Sequence, residues 1–239
     1  MLKFHGAFSV VAAAVLAKAF DVQSPYPSGV AVSLLVLLYS VAFHVLARHT
    51  HTKLHSKFVF ASILSIFQVV PDLFLDAVLG TLHFPDDGCP RLFGHVSAYM
   101  AGMWTIPLLG ILWFSERNDE HNNNHEHTNV VAGGIELPTR HALFKAGAAA
   151  LVVFGSAEQL THPLGLWHAT GKVRYTLGNV AVYVLLPEAL LGCAALFAYT
   201  MTSSPSTRLH HKIGAAASVS MFYTGALAVS FLFTEQLLQ

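Results

Sequence analysis

The sequence predicts an all-α polytopic membrane protein, a single-domain helical bundle of about seven transmembrane helices. Three observations predict it. Of 239 residues, 54% are hydrophobic and only 11% are charged, whereas a soluble domain carries about 25% charged residues. The mean hydropathy is +0.55. Apolar runs near the roughly 20 residues that cross a bilayer recur along the whole chain.

Taken in order, the expected spans cover roughly residues 6–20, 28–47, 58–80, 96–115, 141–161, 179–200 and 213–234. The first is the shortest, and residues 1–19 also fit a cleaved signal peptide. Lys3 precedes an apolar core that ends at the small-residue triplet Ala17-Lys18-Ala19. A first membrane helix is the preferred reading. The other six stand on length and scarcity of charge. The longest connection, 116–139, is polar (ERNDEHNNNHEHTNVVAGGIELPT) and reads as a mobile loop.

Orientation follows from lysine and arginine, which concentrate on the cytoplasmic side. With the N-terminus inside, the inner segments hold Lys3, Arg48, Lys53, Lys57, Arg117, Arg140, Arg208 and Lys212. The outer loops hold only Arg91, Lys172 and Arg174. The N-terminus is therefore expected in the cytoplasm and the C-terminus on the opposite side. Formal net charge is zero with no basic block, which argues against a nucleic-acid partner. Cys89 falls in a loop and Cys193 in mid-span, a placement that suggests neither a disulfide nor a metal site.

Two stretches look related: LGTLHFPDDGCPRLFGHVSAYMAGMW at 79–104 and LGLWHATGKVRYTLGNVAVYVLLPE at 164–188. With a single-residue gap, Leu79-Gly80 matches Leu164-Gly165, His83 matches His168, and Gly94 matches Gly178. Val96 then matches Val180, Tyr99 matches Tyr183, and Trp104 falls opposite Glu188. The expectation is an internal repeat of spans three–four (about 58–115) and five–six (about 141–200). Such repeats often build their site at the interface between the copies. Before each Leu-Gly stands an i, i+4 pair, Asp72/Asp76 and Glu158/His162, so each pair is expected on one helix face.

Asp72, Asp76, Glu158 and Glu188 are the four acids inside expected spans, and no mid-span Lys or Arg is placed to pair with them. An acid at the bilayer centre costs on the order of 2.5–3.5 kcal/mol. These acids are therefore expected to face the protein interior, several as neutral carboxylic acids. A neutral buried acid can protonate a carbon–carbon double bond where water is excluded. The resulting carbocation would rest against aromatic faces. Glu188 is the expected donor and Asp76 or Glu158 the expected acceptor, with Asp72 completing the set. Trp104, Trp167, Tyr99 and Tyr183, with His83, His168 and His162, are the expected substrate-binding wall. No cofactor is required.

An acid in a helix, then LGLWH, a Gly-containing loop and a returning helix with LLPEALLG resemble the lycopene cyclase domain family over about residues 58–200. The resemblance implies a small polytopic carotenoid or terpenoid cyclase, built from repeated helical units and acting on an apolar isoprenoid drawn from the lipid bilayer. It places Glu188 on the family's Pro-x-Glu-Glu-type carboxylate, and Asp76 and Glu158 on the acids of the preceding helices. Here Pro187-Glu188 lacks a second adjacent acid, and Trp104 stands where the first copy would carry one.

Metal chemistry or transport is the rival. Asp72, Asp76, Glu158 and His162 could close a Zn²⁺ or Mn²⁺ site, with His121, His125 and His127 as a metal-catching tract. The spacings His51/His55 and His121/His125 suit a di-iron oxygenase, but no HxxHH box occurs. The last span contains no lysine for a retinal Schiff base, so that reading is excluded.

Overall fold

The computed structural model describes residues 2–19, 27–50, 52–116, 131–132, 135–204 and 206–237. His51 and residues 117–130, with His121, His125 and His127, lie outside the described residues. The chain is predominantly helical. Its α-helices are α1 (Leu2–Ala19), α2 (Ser28–Thr50), α3 (Thr52–Phe67), α4 (Val69–Leu73), α5 (Met100–Met103), α6 (Thr105–Glu116), α7 (Arg140–Thr161), α8 (Val182–Thr202) and α9 (Leu209–Phe231). Two π-helical turns, Phe74–Leu79 and Leu232–Leu237, extend α4 and α9. The strands are two residues each: β1 (Leu82–His83), β2 (Arg91–Leu92), β3 (Val96–Ser97), β4 (Val131–Ala132), β5 (Ile135–Glu136), β6 (His168–Ala169), β7 (Thr176–Leu177) and β8 (Val180–Ala181).

Among the described residues, six helical stretches are long and apolar enough to cross a membrane: Leu2–Ala19, Ser28–His49, Thr52–Leu79, Arg140–Thr161, Val182–Thr202 and Leu209–Leu237. The expected fourth span does not form one continuous helix. Its start, Val96–Ser97, is a strand paired with β2, and the helix after it is interrupted at Trp104, between α5 and α6. Pro107 explains the interruption. It has no N–H to donate four residues back, and its ring crowds the carbonyl of Met103.

Two further prolines sit inside long helices, and each freed carbonyl is taken by α9. Pro71 cannot bond Phe67, whose carbonyl instead accepts from the Ser220 hydroxyl at 2.7 Å. Pro187 cannot bond Tyr183, whose carbonyl accepts from Ser230 at 2.6 Å. Hydroxyls commonly make good such losses where water is absent. Ser220→Ala is expected to lower stability by about 1–3 kcal/mol, because the Phe67 carbonyl loses its partner in a buried place. The hydroxyl of Ser218 bonds only its own helix, to Gly214 at 2.9 Å, so Ser218→Ala should change stability by under about 0.5 kcal/mol. Thermal unfolding of the two variants in one detergent separates the cases.

Small residues set the tightest helix contact. Ala146 and Ala150 of α7 face Gly192 of α8, where an added Cβ would stand 2.5 Å from the Ala146 carbonyl oxygen and 2.6 Å from the Ala150 Cβ. Without such side chains the two backbones approach closely, as small residues allow between membrane helices. The buried core around this contact includes Phe60, Leu108, Leu112, Leu191 and Leu196.

The loops after the third and fourth long helices meet at one end of the bundle, here the loop end. There β1 and β6 pair antiparallel, with His83 opposite His168. Each loop closes with a hairpin, β2–β3 and β7–β8. Gly80, Gly94, Gly165 and Gly178 all have positive φ, between 61° and 79°, a conformation that costs glycine little. The first loop is pinned by buried Asp87, which accepts from Cys89 N–H (2.9 Å) and the Ser97 hydroxyl (3.0 Å). The second is pinned by buried Glu235, which accepts from the Arg174 N–H at 2.9 Å.

Candidate functional site

Beneath the loop end lies a cavity of about 370 Å³, within the range of small-molecule sites. Its walls come from the Pro71–Leu82 segment, α5, α6, α7, the Leu164–Trp167 turn, α8 and α9. Most of that wall is apolar, and no Lys or Arg among the described residues reaches it. Its mouth opens sideways: the lining residues exposed at the surface are Val153 and Leu160 of α7. Half-buried Met103, Ile106 and Pro107 also line it. The exposed rim of the mouth is therefore apolar and lies on the flank of the helices.

Three of the four expected acids converge on this cavity: Asp72, Glu158 and Glu188. Asp72, 3% exposed, accepts a hydrogen bond from the Trp104 indole N–H at 3.0 Å. The interrupted helix thus delivers Trp104 to the acid of the long helix Thr52–Leu79. Glu158 is half-buried in the wall and lies within electrostatic reach of both Asp72 and Glu188. Glu188 is 2% exposed, and its Oε2 has no hydrogen-bond partner among the described residues. A buried carboxyl oxygen without a partner is costly, and such an exception in a native fold calls for an explanation.

Asp76 is not part of the cavity wall. Its carboxylate pairs with His95 Nδ1 at 2.8 Å, at the loop end. The i, i+4 expectation fails here because Asp76 lies in the π-helical turn Phe74–Leu79, where bonds run i to i+5 and the face rule of an α-helix no longer holds. His162 departs for a related reason. It is the residue that ends α7, and its Nδ1 lies 3.3 Å from the Asn179 side-chain oxygen. Asp76→Asn is expected to lower stability by under about 1 kcal/mol, since the pair is half-open to solvent. Unfolding temperature measures it.

The aromatic residues divide similarly. Trp104 and Trp167 line the cavity, and Trp104 packs on Phe154 with ring centroids 5.0 Å apart. Tyr99 and Tyr183 stand outside it and join distant segments of the chain. The Tyr99 hydroxyl reaches the Leu166 carbonyl at 3.5 Å, and the Tyr183 hydroxyl bonds the Thr81 hydroxyl at 2.7 Å. His83, His162 and His168 cluster at the loop end, with the His168 ring 5.3 Å from His83 and 5.2 Å from His162. Burial, followed by the neighbouring His83 and His162, holds His168 below the ordinary imidazole value.

Tyr223 of α9 was not expected at the site. It is 3% exposed, lines the cavity, and lies within electrostatic reach of Asp72, Glu158 and Glu188. Its ring stands 6.4 Å from that of Trp104. No local pattern marks it, since it is one polar residue among several in the last span. Of the four residues of the metal reading, Asp72 and Glu158 line the cavity while Asp76 and His162 are engaged by His95 and Asn179 at the loop end, and no group of three or more His, Cys, Asp or Glu among the described residues could hold a metal ion.

No curated protein and no solved structure matches the chain. A family model does match, over residues 69–234, a segment that contains every residue lining the cavity. That segment is more than half of the sequence, and the chain belongs to the family described as Domain of unknown function (DUF6989).

Proposed function

We propose that the protein is a multi-pass membrane isomerase of the terpenoid-cyclase type, acting on an apolar isoprenoid that enters the cavity sideways from the bilayer. The observation that carries this reading is the meeting of three carboxyls with Trp104, Trp167 and Tyr223 in an otherwise apolar cavity that opens onto apolar surface. Glu188, through its unpartnered Oε2, donates a proton to one carbon of a double bond, and a C–H bond forms. The carbocation left on the neighbouring carbon is held by the faces of the two tryptophans and Tyr223 and closes on a second double bond. A carboxylate, Glu158 or Asp72, then removes a proton from an adjacent carbon. One proton enters and one leaves, so the product is an isomer of the substrate and no cofactor takes part.

In the same reading the site is the interface of a duplicated unit. The duplication is supported by hydrogen bonds that recur at matching places. Asp76 bonds His95 and His162 bonds Asn179. Asp76 and His162 are each the second member of an i, i+4 pair, and His95 and Asn179 each directly follow a positive-φ glycine. Tyr99 reaches the residue after Leu164-Gly165, and Tyr183 reaches the residue after Leu79-Gly80. The antiparallel partners His83 and His168 are equivalent positions too, as a pseudo-two-fold axis between the copies requires. The π-helical turn Phe74–Leu79 accommodates the one extra residue between the acid pair and Leu-Gly in the first copy. The interrupted α5–α6 segment serves as a seventh span, with the N-terminus in the cytoplasm as the distribution of Lys and Arg requires.

Expression in hosts that accumulate lycopene or geranylgeranyl precursors, followed by lipid extraction, tests the reading. The expected result is a new lipid of the same molecular mass as its precursor. An unchanged lipid profile in both hosts counts against this chemistry on those substrates.

A further inference from the structure

Beside the main cavity, towards the loop end, lies a second one of about 20 Å³, room for about one water molecule. Leu75, Leu82, Thr161, Trp167 and Val184 line both cavities. Glu158 lines both as well, and it is the only titratable side chain shared by the two walls. The far wall of the small cavity is polar. It contains His168, Asn179 and the hydrogen-bonded hydroxyls of Tyr183 and Thr81. His168 is half-buried, while His83 and His162, whose rings adjoin it, are exposed.

We propose that this is the proton route of the site: protons pass between the aqueous loop end and Glu158 through His168 and one water in the small cavity, and onward from Glu158 to Glu188. The route rests on the proposed function in one respect: Glu188 must start each cycle protonated with an acceptor carboxylate beside it, and exchange with the aqueous side sets and restores that state. The route itself is a property of the protein without substrate. Its steps balance. One ring nitrogen of His168 takes a proton from the aqueous side while the other releases one to the water. The water passes a proton to a Glu158 oxygen and is restored. Glu158 hands its own proton to the neighbouring Glu188 carboxylate. His168 suits the part because burial and its two histidine neighbours favour the neutral ring, which has one nitrogen open to accept and one N–H to give. The sideways mouth offers no such path, since Val153, Leu160, Ile106 and Pro107 carry no side-chain proton donor or acceptor.

The test is hydrogen–deuterium exchange of the buried carboxyls in the full-length protein in lipid nanodiscs. The infrared carboxyl C=O band is followed after transfer to D₂O, with Glu158→Gln and Glu188→Gln identifying the bands. His168→Ala is expected to slow exchange of the Glu158 band by at least about tenfold, and added imidazole is expected to restore it. A purely structural histidine would not show that rescue. Ala181→Val, which fills the small cavity from a buried position in its wall, is expected to slow exchange without rescue. His168→Gln, which keeps the loop polar, stands in if the alanine variant fails to fold. Unchanged exchange in the folded variants overturns the route, as does the absence of any carboxyl band lost in Glu158→Gln. If exchange behaves as expected while no isoprenoid is converted, the route stands and the cyclase reading falls. Conversion with unchanged exchange has the opposite meaning.

Discussion

Glu188→Gln is expected to lower the rate of isoprenoid conversion by about 10²–10⁴-fold, the typical contribution of a positioned general acid. The substitution keeps size and shape and removes only the transferable proton. Glu188 is buried on α8 directly after Pro187, and its Oε2 has no partner among the described residues. An amide there adds no charge to an unpaired site, so folding should be preserved or slightly improved. Yield of folded protein and turnover should therefore separate cleanly. Asp76→Asn is the control, because Asp76 is engaged by His95 away from the cavity and its loss should leave turnover close to wild type. If both variants lose activity equally, the assignment of Glu188 as donor is wrong.

Gly192→Val is expected to abolish the folded protein, the largest structural effect in the chain. A Cβ at this position meets the Ala146 carbonyl oxygen at 2.5 Å and the Ala150 Cβ at 2.6 Å. Neither atom is the end of a flexible side chain, so the helices themselves must part. Overpacking of this kind costs about 1–3 kcal/mol and sometimes more, and Gly192→Ala should sit within that range. Gly147, on the same interface, meets nothing nearer than the Cys193 sulfur at 3.1 Å and the Ala189 carbonyl at 3.4 Å, so Gly147→Ala should be far milder. Gly192 lies one turn beyond Glu188 on the same helix face. A Gly192→Ala protein that still folds should therefore lose activity as well as stability, through displacement of the acid. Yield after detergent extraction and thermal unfolding read both effects.

Much of this architecture was legible in the sequence. The membrane helices follow from length and apolarity, because an apolar run of that length has few other homes. Asp72, Glu158, Glu188 and Trp104 were legible because charges and indoles are scarce in such helices, and Trp167 because it follows the Leu-Gly turn, and all five line the cavity. Asp76 and His162 were not separable from them, because i, i+4 spacing presumes an unbroken α-helix. A π-helical turn at one position and a helix end at the other change where the side chain points. The interruption at Trp104 was not expected within 96–115, because Pro107 alone cannot be told from a tolerated kink. Ser220, Ser230 and Tyr223 were invisible because their partners are far away in the chain. The first two repair proline-freed carbonyls on other helices, and the third joins the acids only once α9 has packed.

The account stands or falls on whether a carboxyl at this cavity transfers a proton to carbon. The direct measurement is conversion of isoprenoid polyenes by the purified protein in nanodiscs made up in D₂O, with the product analysed by mass spectrometry. The account predicts a product isomeric with its precursor, carrying one deuterium on carbon for each ring closed, and absent from Glu188→Gln. A product without deuterium, or equal product from wild type and Glu188→Gln, would contradict it.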